Sequence, residues 1–172
     1  MNKILIIGSP GAGKSTFAKQ LGLVLKYPIL HLDRVFHINN NHTISKEELK
    51  SIITDFALSN NKWIIDGNYN ATLQFRSEYA DTIIFMKIPG EICLDNIYKR
   101  QESSKYKKCS DIASGFDGGI VNEEFSQFVR DFEKNNYPRI NEVLSSFKGK
   151  VIEINSYEEK ENFIQEEVIL KQ

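Results

Sequence analysis

The chain has only two cysteines, Cys93 and Cys109, in 172 residues. That argues against a disulfide framework and for a reduced, cytoplasmic protein in which both thiols are idle or packed. Charge of one sign is missing too. Twenty-two basic residues against 23 acidic ones leave a formal net charge of −1. Such a balance offers no basic face and speaks against nucleic acid or an anionic membrane as partner. No apolar run approaches the roughly 20 residues of a transmembrane helix, and the chain enters its first strand without a signal-peptide pattern. The three histidines, His31, His37 and His42, share no metal-ligand spacing with each other or with the cysteines. The remainder is ordinary globular composition, 41% hydrophobic and 26% charged. A single domain over residues 1–172 is expected, because this length builds one well-buried core and not two.

Against that plain background one segment stands out. Gly8-Ser9-Pro10-Gly11-Ala12-Gly13-Lys14-Ser15 is a complete G-x-x-x-x-G-K-[ST] phosphate-binding loop, or Walker A motif. It follows the apolar, β-branched run Lys3-Ile4-Leu5-Ile6-Ile7 and precedes an amphipathic stretch, Thr16 to Leu25. Glycines let backbone N–H groups curl around an anion, and the helix that follows aims its positive end at it. Lys14 is placed to reach the β- and γ-phosphates, and the Ser15 hydroxyl to hold Mg²⁺. The sequence therefore predicts nucleoside triphosphate binding.

Strand and helix patterns alternate from there on. Strands are predicted at Pro28–Leu32, Lys62–Asp66, Thr82–Met86 and Lys150–Ile154. Ser45-Lys46-Glu47-Glu48 is a capping box opening a helix to about Ser59. Further helices are expected from Glu91 to Ser103, from an Asn122 cap to about Phe147, and after Ser156. Residues of about 103–121, rich in lysine and glycine and poor in periodicity, are expected to form a mobile lid. Alternation of this kind predicts a three-layer α/β fold: a five-stranded parallel sheet with helices on both faces. Ligands in such folds gather at the carboxyl ends of the strands. That rule puts the phosphate loop, Asp33-Arg34, Asp66-Gly67-Asn68-Tyr69 and Asn155-Ser156 on one rim.

Each rim residue has a chemical reading beside a plain one. Asp66 suits a second carboxylate near Mg²⁺, or makes a turn with Gly67. Asp33 either orients an acceptor hydroxyl and takes its proton, or caps a turn beside Arg34. Gly67, Asn68 and Tyr69 are candidates to contact the acceptor. Arg34 and Arg76 are candidates to clamp an anionic group on it, since guanidinium grips phosphate or carboxylate bidentately. Arg100 and Arg139 flank the lid and are candidates to cage the moving phosphate. Lys99 and Arg130 read as solvated. Phe125, Phe128 and Phe132 share one helix face and read as core. Asn155 and Ser156 are placed to touch the nucleotide base with backbone groups, and Ser156 also to cap the last helix.

Taken together, these segments resemble an adenylate-kinase-like P-loop kinase along nearly the whole chain. Within that superfamily the chain is similar to the bacterial DNA topology modulation proteins. The likeness rests on the phosphate loop, His31-Leu32-Asp33, and Trp63-Ile64-Ile65-Asp66-Gly67-Asn68-Tyr69. It continues through Thr72, Arg76, Ala80-Asp81-Thr82-Ile83-Ile84-Phe85 and Pro138-Arg139. The resemblance implies ATP as phosphoryl donor, held by Gly11, Gly13, Lys14 and Ser15 with Thr16 on the α-phosphate, and Mg²⁺ on Ser15 and Asp66. Where adenylate kinases carry Asp-Gly-Phe-Pro-Arg, this chain has Asp66-Gly67-Asn68-Tyr69-Asn70, so the arginine that grips AMP is missing from its place. The expected function is transfer of the γ-phosphoryl group of ATP to a small acceptor such as a nucleoside or nucleotide. The alternative is a nucleotide-dependent switch, an NTPase acting on DNA or a protein partner. The acceptor and the oligomeric state are left open.

Overall fold

The computed structural model describes residues 1–39, 42–104 and 122–170. Strand β1 (Lys3–Gly8) leads through the phosphate loop into helix α1 (Lys14–Leu25). Then come β2 (Ile29–His31), the short helix α2 (Leu32–Phe36), a hairpin of β3 (His37–Asn39) and β4 (His42–Thr43), and α3 (Lys46–Ser59). The chain continues through β5 (Trp63–Asp66), α4 (Asn70–Ser77), β6 (Thr82–Met86) and α5 (Gly90–Ser104). It ends with α6 (Glu123–Arg130), α7 (Phe132–Ser146), β7 (Lys150–Ile154) and α8 (Tyr157–Ile169). The main sheet has the order β2-β5-β1-β6-β7, and every neighbouring pair is parallel. This is the three-layer α/β P-loop architecture that the sequence predicts.

The two layers of helix follow from the alternation of side chains along the central strand. Ile4 and Ile6 point to one face of β1, Leu5 and Ile7 to the other, and all four are fully buried. Behind Ile4 and Ile6 lie Phe17, Ala18 and Leu21 of α1, Leu94 and Ile97 of α5, and Phe163 and Ile164 of α8. Leu5 and Ile7 meet Leu49 and Ile53 of α3, Leu73 of α4, and Ile140 and Val143 of α7. A strand buried on both faces has no polar side to show, which is why these strands read as unbroken apolar runs.

The Ser45 capping box forms as predicted: the hydroxyl accepts from Glu48 N at 3.1 Å, and Ser45 N donates to Glu48 Oε2 at 2.8 Å. The helix expected over residues 122–147 is instead two. Asn122 caps α6 through Phe125 N at 2.8 Å, and Asp131 (φ −85°, ψ 2°) breaks the run before α7. Helices α2 and α4 and the β3–β4 hairpin were not predicted. They are one or two turns long, too short for a periodic pattern to register. The expected lid falls almost wholly on residues 105–121, outside the described residues.

Candidate functional site: two cavities that share a rim

The central strand ends in the phosphate loop, and the tightness of that loop explains its glycines. Gly11 has φ +80°, and a Cβ there would lie 2.2 Å from the carbonyl oxygen of Cys93 on α5. Only glycine allows both the left-handed backbone and that close approach. The loop is tied to its surroundings at the same point: Asn96 Nδ2 donates to Gly11 O at 3.0 Å, and Tyr157 Oη donates to the same oxygen at 3.4 Å. Asn96 Nδ2 also donates to Tyr157 Oη. Lys14 Nζ donates to Ser9 O at 2.9 Å, folded back over its own loop.

In front of the loop lies a cavity of about 500 Å³. Pro10, Gly11, Gly13, Lys14, Ser15 and Thr16 form its floor, and Asn96, Arg100, Tyr157 and Lys160 stand around it. Loop N–H groups, the start of α1 and cationic side chains make it suited to a polyphosphate. The structure thus brings Arg100 to the loop. By contrast, Arg139 is exposed on α7 and lines neither this cavity nor its neighbour. Asn155 is also elsewhere: its backbone N and Nδ2 donate to Glu159 Oε2 at 2.7 and 3.2 Å, closing the cap of α8. Tyr157 and Lys160, two and five residues further on, line the cavity instead. Their signal in the sequence was only that they follow the last strand.

A second cavity, of about 340 Å³, opens beside the first. It is lined by Pro10, Lys14 and Asp33 together with Asn68, Tyr69, Asn70, Phe128, Phe132 and Asn136. Pro10, Lys14 and Asp33 therefore belong to both cavities. Asp33 follows β2 in the first turn of α2, and its Oδ1 accepts from Tyr69 Oη at 2.8 Å. The Tyr69 ring packs on Phe36 with centroids 4.7 Å apart. Burial, and next the Asp33 charge, push the Tyr69 pKa upward, so its phenol stays a proton donor to Asp33 at neutral pH. Arg34 is exposed and lines neither cavity.

Behind this rim the pairing of strands sets the chemistry. β2 and β5 place His31 opposite Asp66, and His31 Nδ1 lies 2.8 Å from Asp66 Oδ2. Asp66 is 3% exposed, and its other oxygen, Oδ1, is buried without a hydrogen-bond partner among the described residues. An orphaned carboxylate oxygen is costly to bury, and a hydrated cation would satisfy it. Among the described residues no three His, Cys, Asp or Glu side chains converge. That is no obstacle to Mg²⁺, which takes one or two protein oxygens and completes its shell with phosphate and water. Ser15 and Asp66 carry the kind of oxygen donors such an ion takes.

Arg76 corrects an expectation. Its side chain is completely buried, with Nη1 donating to Gly67 O at 2.9 Å and Nη2 to Tyr69 O at 3.1 Å. A guanidinium so enclosed holds the loop after β5 in place and cannot clamp an acceptor. Burial lowers its pKa to about 10, which still leaves it a cation at neutral pH. Gly67 (φ +140°) passes close to Leu32, where a Cβ would meet the leucine Cβ at 2.9 Å. The loop thus reaches Asn68, whose Oδ1 accepts from Gly8 N at 3.3 Å. Phe128 corrects another expectation: it is 43% exposed and lines the second cavity, while Phe132 is the core residue of the pair. Arg130, read as solvated, forms exposed ion pairs with Glu123 at 3.0 Å and Glu91 at 3.6 Å.

Known proteins share similarity of sequence or of fold with this chain. A shikimate kinase of Clostridium botulinum (strain Loch Maree / Type A3) is 26% identical over 121 residues, 61% of this chain and 70% of that one. An adenylate kinase isoenzyme 6 homolog of Caenorhabditis elegans is 24% identical over 168 residues, 86% of this chain and 91% of that one. Among solved structures, shikimate kinase from Acinetobacter baumannii in complex with shikimate superposes with a TM-score of 0.62 at 19% identity. It covers 99% of this chain and 92% of its own. A gluconokinase from Sinorhizobium meliloti 1021 superposes at 0.59 with 11% identity, covering 98% and 90%. No family model matches the chain. The sequence relatives are kinases and the solved neighbours share the fold. The chain is accordingly a phosphotransferase with the P-loop kinase fold, similar to shikimate and adenylate kinases.

Proposed function

We propose that this chain transfers the γ-phosphoryl group of ATP to a small acceptor such as a nucleoside or nucleotide. The observation that carries this reading is the shared rim: Lys14 and Asp33 line both cavities. A donor phosphate in the first cavity and an acceptor hydroxyl in the second would meet between them. The loop N–H groups and Lys14 hold the β- and γ-phosphates, and Thr16 lies at the α-phosphate. Arg100 adds positive charge beside the transferred group. Asp33, oriented by Tyr69, accepts the hydrogen bond of the attacking hydroxyl and then its proton. Ser15 and Asp66 would hold Mg²⁺, which supplies charge neutralisation at the phosphates.

The whole chain is read as one cytoplasmic domain. The Trp63–Tyr69 segment and Pro138-Arg139 support kinship with the bacterial DNA topology modulation proteins. Among the described residues no helix is long and apolar enough to cross a membrane.

Coupled ADP release from Mg-ATP against nucleosides, nucleoside monophosphates and small hydroxylated metabolites tests the reading, with Lys14→Ala as control. An acceptor-dependent rate that the variant loses is the expected result. Slow release indifferent to every acceptor would sink it in favour of a nucleotide-driven switch.

A further inference from the structure

The proposed kinase function leaves the acceptor unnamed, and the second cavity bears on it. Three of its lining residues are asparagines joined in a ladder. Gly8 N donates to Asn68 Oδ1 at 3.3 Å, Asn68 Nδ2 to Asn70 Oδ1 at 3.1 Å, and Asn70 Nδ2 to Asn136 Oδ1 at 2.7 Å. The ladder runs from the phosphate loop, across the loop after β5, to α7. Each amide carries two N–H donors and an oxygen with two lone pairs, so the ladder does not exhaust them. Amides with spare donors and acceptors recognise hydroxyls and the edges of heterocycles. Neither partner needs a charge for that.

The same cavity has aromatic lining residues, Phe128 and Phe132. Of the two, Phe128 is 43% exposed. Its ring is held from both sides: Phe125 stacks on it at 6.2 Å and 26°, and Phe132 meets it edge-on at 5.9 Å and 90°. A fixed, half-open ring at the wall of a 340 Å³ cavity is a stacking platform for a flat ligand. The cavity volume lies within the span of small-ligand pockets, roughly 300–1,000 Å³. Among its described lining residues Lys14 is the one cation, and it serves the phosphate loop.

We infer that the acceptor is an uncharged nucleoside, its base stacked on Phe128 and its polar edge or sugar hydroxyls read by Asn68, Asn70 and Asn136. This rests on the kinase reading above. The reacting hydroxyl then points to Asp33 at the common rim. Its oxygen forms the new bond to the γ-phosphorus while the bond to the β–γ bridging oxygen breaks. The proton goes to the Asp33 carboxylate and ADP leaves, so the products are ADP and a nucleoside monophosphate.

The test is initial-rate ADP release with Mg-ATP and matched acceptors: adenosine, cytidine, thymidine and uridine, their 5′-monophosphates, and the non-aromatic acceptors shikimate, gluconate and glycerol. Nucleosides are expected to give the highest kcat/KM. Phe128→Ala and Phe128→Leu should each raise the nucleoside KM on the order of tenfold, in line with the worth of one base–aromatic stack, with the KM for ATP unchanged. Phe128→Tyr should restore it. The leucine variant keeps the apolar bulk, so a loss in it reports the ring face and not packing. Asn136→Ala should raise the nucleoside KM several-fold and leave that for ATP alone. Faster turnover of monophosphates, or of a non-aromatic acceptor, would overturn the inference and leave the kinase reading intact. If no acceptor raises the rate while a fluorescent ATP analogue still binds, the kinase reading falls and the inference with it.

Discussion

The two cavities on the sheet rim differ in how they are assembled. The floor of the donor cavity is one contiguous segment, residues 10–16, bent by glycines into a shape the local sequence dictates. Its acceptor neighbour draws on the ends of β2 and β5, the start of α4, both helices α6 and α7, and one lysine borrowed from the loop. The first is therefore robust and recognisable in any chain that carries the motif. Small changes in distant elements can re-furnish the second without disturbing the phosphates. One fold can in this way serve several acceptors, and the kinases similar to this chain are named for different ones.

Substitutions sharpen this contrast, beginning with the group common to both cavities. Lys14→Ala removes a charge fixed where the transition state becomes most negative, and should lower kcat by roughly 10²–10³ in the coupled assay. Equal rates in variant and parent would break the comparison at its centre. Asp33→Asn should cost about 10² in acceptor-dependent turnover while ATP affinity, read by fluorescence titration, stays near the parent value. A variant that instead loses ATP would assign Asp33 to the donor side.

Arg76→Met tests whether the acceptor rim depends on buried scaffolding. Two carbonyls lose a charged donor, so unfolding in urea should show a stability loss of about 3 kcal/mol. At temperatures where the variant remains folded, its acceptor KM should rise more than its ATP KM. Tyr157→Phe removes the long hydrogen bond to the Gly11 carbonyl and the oxygen that accepts from Asn96 Nδ2, while Asn96 keeps its own hydrogen bond to Gly11 O. The expected cost is about 0.5–1 kcal/mol, visible as a few-fold rise in the ATP KM with the acceptor KM unchanged.

Particular residues show where legibility stopped. The phosphate loop, the five sheet strands and the Ser45 cap follow from patterns within a dozen residues, and each is found where the pattern puts it. Asp33 and Tyr69 lie 36 positions apart, and their hydrogen bond exists because β2 and β5 are neighbours in the sheet. Arg76 carries the same charge as Arg34. Whether it faces solvent or two backbone carbonyls is decided by the packing of α4, which no local pattern announces. Phe128 and Phe132 share one apolar spacing and both line the second cavity, but the break at Asp131 falls between them, and Phe128 is half-exposed where Phe132 is buried.

Taken alone, then, the amino-acid sequence determined the layered α/β fold and the phosphate loop, because both rest on local periodicity and local backbone freedom. Only the tertiary structure decided that Phe128 and three asparagines face a common space with Asp33. It likewise decided that Arg76 is a fastening, and that Tyr157, not Asn155, lines the cavity in front of the phosphate loop. Those are relations between residues distant in the chain, and strand order and helix packing create them. Nothing in a linear pattern carries the distance between two side chains that meet only when the sheet has formed.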